Sequence, residues 1–204
     1  MTKPSENSTS AVVKLYSERF EKLGDCAESV GWPTTTTQEM RFAELIGSEE
    51  LYGQSIIDLG CGLGHLLKWL YETGHKNFNY LGVDVTPGFI EFANQKYNLP
   101  MTEFLLADIQ EMTIPNADFV LASGAFSYRP AWNQDSALNT VEKMFKSSRK
   151  RTSFNMLDIN SEVHLDKNYY FDPIEILREV RKISKKVRLH TDYLSNEFTI
   201  HIYK

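Results

Sequence analysis

The sequence predicts an α/β fold: a doubly wound, mostly parallel seven-stranded sheet with a C-terminal antiparallel hairpin and an N-terminal helical cap. Three observations carry that expectation. From residue 54 onward, short apolar runs alternate with amphipathic ones, the rhythm of strands joined by helical crossovers. Residues 55–64 pass from Ile56 and Ile57 into a loop with glycine at every second position, Gly60, Gly62 and Gly64, and a helical pattern follows. Near the end, strand-like runs at 187–193 and 198–203 are joined by a turn at Ser195-Asn196 that permits only antiparallel pairing.

Taken in order, residues 11–24 set Val12, Leu15, Tyr16, Phe20 and Leu23 at helical spacing. Gly31-Trp32-Pro33 breaks the pattern, and the threonines at 34–37 can cap a second helix carrying Met40, Phe42, Leu45 and Ile46. These helices make residues 1–53 the cap and 54–204 the core, within one domain of 204 residues. The other expected strands are 55–60, 80–84, 103–107, 118–122 and 152–157. Helices are expected at 64–74, closed by Gly74, at 87–97 with Pro87 in the first position, at 134–148, and from Pro173. A polar and aromatic segment, 158–172, precedes the last of them.

Composition narrows the function. No apolar run approaches the ~18 residues of a membrane span. Residues 1–10 are polar, unlike a signal or transit segment, so a cytoplasmic protein without a membrane partner is expected. Cys26 and Cys61 are too few for a disulfide framework or a zinc site, and both are expected free. A net charge of −5 argues against a general nucleic-acid binder. From Lys143 onward, however, 13 lysines and arginines stand against 8 acids. They cluster at 143–151 and 178–188, where solvated helix ends are expected because cations suit the helix dipole there.

Gly60, Gly62 and Gly64 can let a ligand touch bare backbone, and the helix beyond offers unpaired N–H groups, so a nucleotide-like ligand suits the loop. A dinucleotide fingerprint would need a further glycine where His65 stands. Asp84 ends the second strand 24 residues after Gly60, where a doubly wound sheet sets its carboxylate beside the loop, able to accept ribose hydroxyls. The pattern Asp58-x-Gly60-x-Gly62-x-Gly64, with Gly82-Val83-Asp84, resembles motif I of the class I S-adenosylmethionine (SAM) dependent methyltransferases and the strand that follows it. The layout of residues 55–204, hairpin included, is similar to theirs, with the specific motifs confined to its first third. Gly31-Trp32-Pro33…Gln38…Arg41-Phe42 and Asp192-Tyr193…Glu197-Phe198-Thr199-Ile200 resemble small stand-alone bacterial members from biosynthetic clusters.

The resemblance implies SAM as cofactor and S-adenosylhomocysteine as product. It implies a cofactor site built from Asp58, Gly60, Cys61, Gly62, Gly64, Asp84, Val85, Asp108, Ile109 and Ser123. In it Asp108 meets the adenine amino group and the Ile109 N–H a ring nitrogen; Val85, Phe89 or Ile90 packs on adenine or ribose. Arg41 either meets the cofactor carboxylate or caps a surface acid. The loop 123–132 would pass between cofactor and acceptor. It lacks the Asn/Asp-Pro-Pro-Tyr/Phe of amino-group DNA methyltransferases and the acid of Mg²⁺-dependent catechol-type enzymes, so no metal is expected, although Asp158 and Asn160 loosely resemble other ligands. Tyr128, Arg129, Trp132, His164, Tyr169 and Tyr170 are acceptor-pocket candidates, with Tyr16, Arg19, Trp32, Gln38 and Arg41 from the cap. Tyr128, His164 and Tyr169 are the catalytic candidates, His164 as a base. The expected reaction is methyl transfer to an oxygen or nitrogen of a small molecule, driven by proximity and orientation. The rivals are an RNA or protein methyltransferase using the basic second half, an NAD-dependent oxidoreductase, and a module that keeps SAM without turnover.

Overall fold

The computed structural model describes residues 6–204. Residues 1–5 of the polar opening stretch lie outside the described residues. Five strands run parallel: β1 (Ser55–Leu59), β2 (Asn79–Asp84), β3 (Thr102–Leu106), β4 (Ala117–Ala122) and β5 (Ser148–Leu157). β6 (Val187–His190) and β7 (Glu197–Tyr203) form the predicted hairpin, and β7 pairs antiparallel with β5. The order is β3-β2-β1-β4-β5-β7-β6, so the topology reverses between β1 and β4. β1 and β4 are almost wholly buried, as strands covered on both faces must be.

One face is covered by α3 (His65–Glu72) and α4 (Pro87–Lys96), through Leu66, Leu67, Leu70, Ile90 and Ala93. The other is covered by α5 (Gln134–Ser147) and α6 (Pro173–Ile183), through Val141, Met144, Ile176 and Val180. Local chemistry sets where these helices start. Asn133 and Ser136 cap α5 reciprocally, and the Asp172 side chain accepts from the N–H groups of Ile174 and Glu175 ahead of Pro173. No helix among the described residues is long and apolar enough to cross a membrane.

The cap is α1 (Glu6–Leu23) and α2 (Thr35–Ile46). Phe20 of α1 packs on Phe89 and Phe92 of α4, ring centres 5.6 and 5.4 Å apart. Thr34 caps α2 by accepting from the Thr37 N–H. α2 lies over β5 and β7 on a buried polar seam that strand alternation creates. Phe198, Ile200 and Ile202 face the α5–α6 core, whereas Glu197, Thr199 and His201 point the other way beside Ser153 and Asn155 of β5. Arg41 Nε donates to Glu197 Oε2 at 2.6 Å. Arg151 Nη2 donates to the Leu45 and Ile46 carbonyls at 2.7 and 2.9 Å.

In the first basic run Lys146 is a solvated cation in the last turn of α5, as expected, but the structure corrects that reading for Arg149 and Arg151. β5 begins at Ser148, so Arg149 and Arg151 are strand residues. Arg151 is buried under α2 and pairs with Glu49 at 3.1 Å. Arg149 donates to Asp118 and to the Ser55 hydroxyl. Burial works to raise the Asp118 carboxyl, but hydrogen bonds from Arg149 and Ser55 outweigh it and hold it at about 2.

Candidate active site

At the carboxyl ends of the parallel strands, around the reversal point, lies a cavity that opens in part to solvent. Its floor comes from four consecutive loops: Gly60, Cys61 and Gly62 after β1, Val85 after β2, Asp108 and Ile109 after β3, and Ser123 after β4. Asp58 and Asp84 reach it from the ends of β1 and β2. Its roof is the cap, through Val12 and Tyr16 of α1, Val30 and Trp32 of the connecting loop, and Gln38 and Phe42 of α2.

The floor is organised by its carboxylates. Asp84 Oδ2 accepts from the Gly62 N–H at 3.0 Å and Oδ1 from the Thr86 N–H at 2.8 Å. Gly62 has φ +54°, and a Cβ there would stand 2.8 Å from Val30 Cγ1, so glycine lets the cap loop press directly on the floor. Asp108 Oδ1 accepts from the Gln110 N–H, and Oδ2 from the Thr9 hydroxyl of α1, both at 2.8 Å. Asp58 Oδ2 accepts from the Tyr80 hydroxyl at 2.7 Å, while its Oδ1 is buried with no partner among the described residues. Ser123 Oγ is likewise buried and without a partner among the described residues. Burial, and then the charges of Asp84 and Asp58, push the Cys61 thiol far up, so it is not a ready nucleophile.

Burial pushes the Asp58 carboxyl up to about 7, against the Tyr80 hydrogen bond and with help from the Asp84 charge. Between the ordinary carboxylate range and pH 7 the folded chain therefore holds a proton that the unfolded chain has lost. Stability falls as pH rises through that window. Asp58→Asn should flatten the dependence and raise stability at pH 8 by roughly 1 kcal/mol or more. Urea midpoints at pH 5 and pH 8 test this; an unchanged slope would show that Asp58 does not carry the proton.

On the acceptor side, Ser127, Tyr128, Ala131 and Trp132 line the cavity. Gly124 has φ +69°, and a Cβ there would fall 2.2 Å from Trp32 Cζ2, so the edge of the cap's indole presses directly on this loop. The Gly124 N–H donates to Asn155 Oδ1 at 2.7 Å, which ties the loop to β5.

Several expected site residues lie elsewhere. Arg41 is buried outside the lining: its guanidinium is committed to Glu197 and the Thr37 carbonyl, 4.1 Å over the Trp32 ring. Gly64 is the N-cap of α3 and does not reach the cavity. His164 is exposed and stacks on Tyr170, ring centres 4.1 Å apart, because the 158–172 segment turns these rings toward each other. Tyr169 packs on Phe171 at 4.8 Å, against the α5–α6 core. Asp158 is occupied in accepting from the Asn160 backbone and side chain. Arg129 Nε turns to the Asn168 carbonyl. Thr9, Val30 and Gln110 line the cavity without having been expected there. Thr9 carried no signal, since it sits in the polar opening stretch, and Gln110, whose side chain donates to the Ala131 carbonyl at 2.9 Å, follows Asp108 closely enough to have been considered.

Residues 56–148 match a family model described as a methyltransferase domain. A Mycobacterium tuberculosis protein described as a methyltransferase is 34% identical over 159 residues, 74% of this chain and 93% of its own length. A malonyl-[acyl-carrier protein] O-methyltransferase of Anoxybacillus flavithermus is 30% identical over 99 residues, 48% of this chain and 36% of its own. Among solved structures, the magnesium protoporphyrin IX methyltransferase of Synechocystis with bound SAM shares the fold at a TM-score of 0.69, 14% identity and full coverage of both chains (100% each). Human N-acetylserotonin methyltransferase with SAM does so at 0.71 and 14% identity, over 99% of this chain and 60% of its own. With the strand order, the glycine loop and the carboxyl-end cavity, these similarities place the chain among the class I SAM-dependent methyltransferases, to which it belongs.

Proposed function

We propose that the chain transfers the SAM methyl group to an oxygen or nitrogen of a small-molecule acceptor held beneath the cap. One observation carries this reading: the cavity is enclosed by cap and loops, through Tyr16, Trp32, Phe42, Tyr128 and Trp132, while the basic run starts at the opposite, amino end of β5. A small acceptor fits within such walls. A long polyanion would need free cations on the same rim, whereas Arg149 and Arg151 lie toward the amino end of β5 and are paired with Asp118 and Glu49. Cap and sheet work in this reading as one unit, since the cavity needs both.

The residues present suit SAM. The cavity wall offers acceptors: the Asp84 and Asp108 carboxylates, and Asp58 Oδ1 and Ser123 Oγ, which have no partner among the described residues. The ammonium, ribose hydroxyls and adenine amine of SAM are donors. When bound, SAM supplies a methyl group already activated on a sulfonium. Asp84 would hold the ribose hydroxyls and Asp108 the adenine amine, with Val85 and Ile109 packing beside them. Gly60 and Gly62 give close backbone approach. Tyr128 would orient the acceptor from the loop side. The aromatic walls exclude water from the nucleophile, and alignment supplies most of the rate. Burial raises the Tyr16 hydroxyl, against the Arg19 charge, so it stays a hydrogen-bond donor across the working pH range.

Tyr128→Ala should lower kcat/KM by tenfold or more, about 1.4 kcal/mol. Lys146→Glu, Lys150→Glu and Lys185→Glu together should leave it within about two-fold. These are measured as S-adenosylhomocysteine release with a panel of hydroxylated and amino acceptors. Activity lost to the charge reversals and kept by Tyr128→Ala would point to a polyanionic acceptor instead.

A further inference from the structure

At one end of the polar seam beneath α2, three side chains from three elements converge. Glu44 comes from α2, His190 ends β6 and His201 lies in β7. The hairpin register pairs Arg188 with His201 and His190 with Thr199, so the two imidazoles are diagonal neighbours on one face of the sheet. Their rings stand perpendicular, with centres 5.1 Å apart. Glu44 Oε1 lies 2.8 Å from His190 Nδ1 and 3.6 Å from His201 Nε2. One ligand atom from each of the three falls within 4.8 Å of the others. His201 is buried, its Nδ1 is hydrogen-bonded to Ser153 Oγ at 2.8 Å, and its Nε2 faces a carboxylate beyond good hydrogen-bond reach.

We propose that Glu44, His190 and His201 form a zinc site that fastens the cap helix to the C-terminal hairpin. Two imidazoles and a carboxylate, with a fourth position left to water, are a zinc donor set. Imidazole nitrogen selects zinc over magnesium or calcium, which want oxygen. Tetrahedral bonds of about 2.0–2.1 Å put ligand atoms roughly 3.3 Å apart, so the Glu44–His190 pair opens slightly and the other gaps close. Half-exposed His190 is free to rotate for this, while the Ser153 hydrogen bond fixes the ring of His201 in the manner of a histidine that binds metal through its other nitrogen. Two cations flank the site, and each has a partner of its own. Arg151 is neutralised by Glu49, and the Arg188 guanidinium lies over the Tyr203 ring, 5.5 Å from its centre. None of the three ligands lines the cavity, so the ion would anchor the cap and take no part in methyl transfer.

The full chain, dialysed against EDTA, is titrated with zinc sulfate by calorimetry and with cobalt(II) chloride by visible absorption. One ion per chain is expected, with cobalt giving the intense visible bands of a low-coordinate site. At a hundredfold excess of zinc over its Kd, Tm should rise by about 5–10 °C. His190→Ala and Glu44→Gln, both at partly exposed positions, should each weaken binding tenfold or more and lose most of that rise. The absence of saturable binding overturns the proposal, as does equal affinity in wild type and both variants, which would put the ion elsewhere.

Discussion

Arg41→Ala costs the fold about 3–5 kcal/mol, read as a lower urea midpoint at an unchanged m-value. The guanidinium and the Glu197 carboxylate are only 3% and 2% exposed and sit 2.6 Å apart. Removing one leaves the other charged, buried and unpaired, and that desolvation dominates the loss. Against a typical total of about 5–15 kcal/mol, the variant is close to the edge of folding. Arg41→Ala with Glu197→Ala should cost less than the sum of the single changes, because the second removes the orphan the first creates. Replacing the pair by methionine and leucine should restore most of the stability. A loss below about 1 kcal/mol for Arg41→Ala would show that water reaches the pair.

Asp84→Ala weakens binding of S-adenosylhomocysteine by roughly ten- to a hundred-fold, the worth of a buried hydrogen bond to a charged group, about 1.5–3 kcal/mol. The loss has two sources: acceptor oxygens facing the cavity, and the carboxylate that receives the Gly62 N–H and holds the loop in shape. Burial lifts the Asp84 carboxyl despite the N–H groups of Thr86 and Gly62, so the empty fold gains little from its charge. The melting temperature without ligand should fall only by the worth of the lost Gly62 and Thr86 hydrogen bonds while affinity falls further, a separation that calorimetric titration and thermal melts read directly. Unchanged affinity would remove Asp84 from the cofactor site.

Where a residue's neighbours are set by strand and turn geometry, the sequence was enough to place it. Asp58, Asp84 and Asp108 each stand at or just past the end of a parallel strand, and crossover topology brings those ends to one rim whatever the side chains do. Arg41 was legible only as a cation near the site, because its partner lies 156 residues away, just outside the run 198–203 read as the last strand. Thr9 and Asp108, 99 residues apart, meet only once α1 folds over the sheet. In the 158–172 segment residue type misled. Histidine and tyrosines suggested chemistry, but composition does not say which way a loop turns, and His164 and Tyr169 found partners among their own neighbours. Arg149 and Arg151 read as a helix end because charge hid a strand whose alternate residues serve α2 and Asp118.

The seam beneath α2 bears on how acceptor choice can be redesigned. Apolar helix docking tolerates sliding, whereas here Arg41 and Glu44 of α2 meet directional partners on β7 and β6, and Arg151 of β5 meets the end of α2 itself. Trp32 rides on Arg41 and forms part of the cavity wall, so its placement is dictated from the far edge of the sheet. A segment spanning residues 30–46 taken from a relative would bring a new wall but leave Glu197 and His201 facing strangers. Chimeras that exchange that segment together with 187–201 should fold and take on the donor's acceptor preference, whereas those exchanging the cap segment alone should misfold before their specificity can be measured.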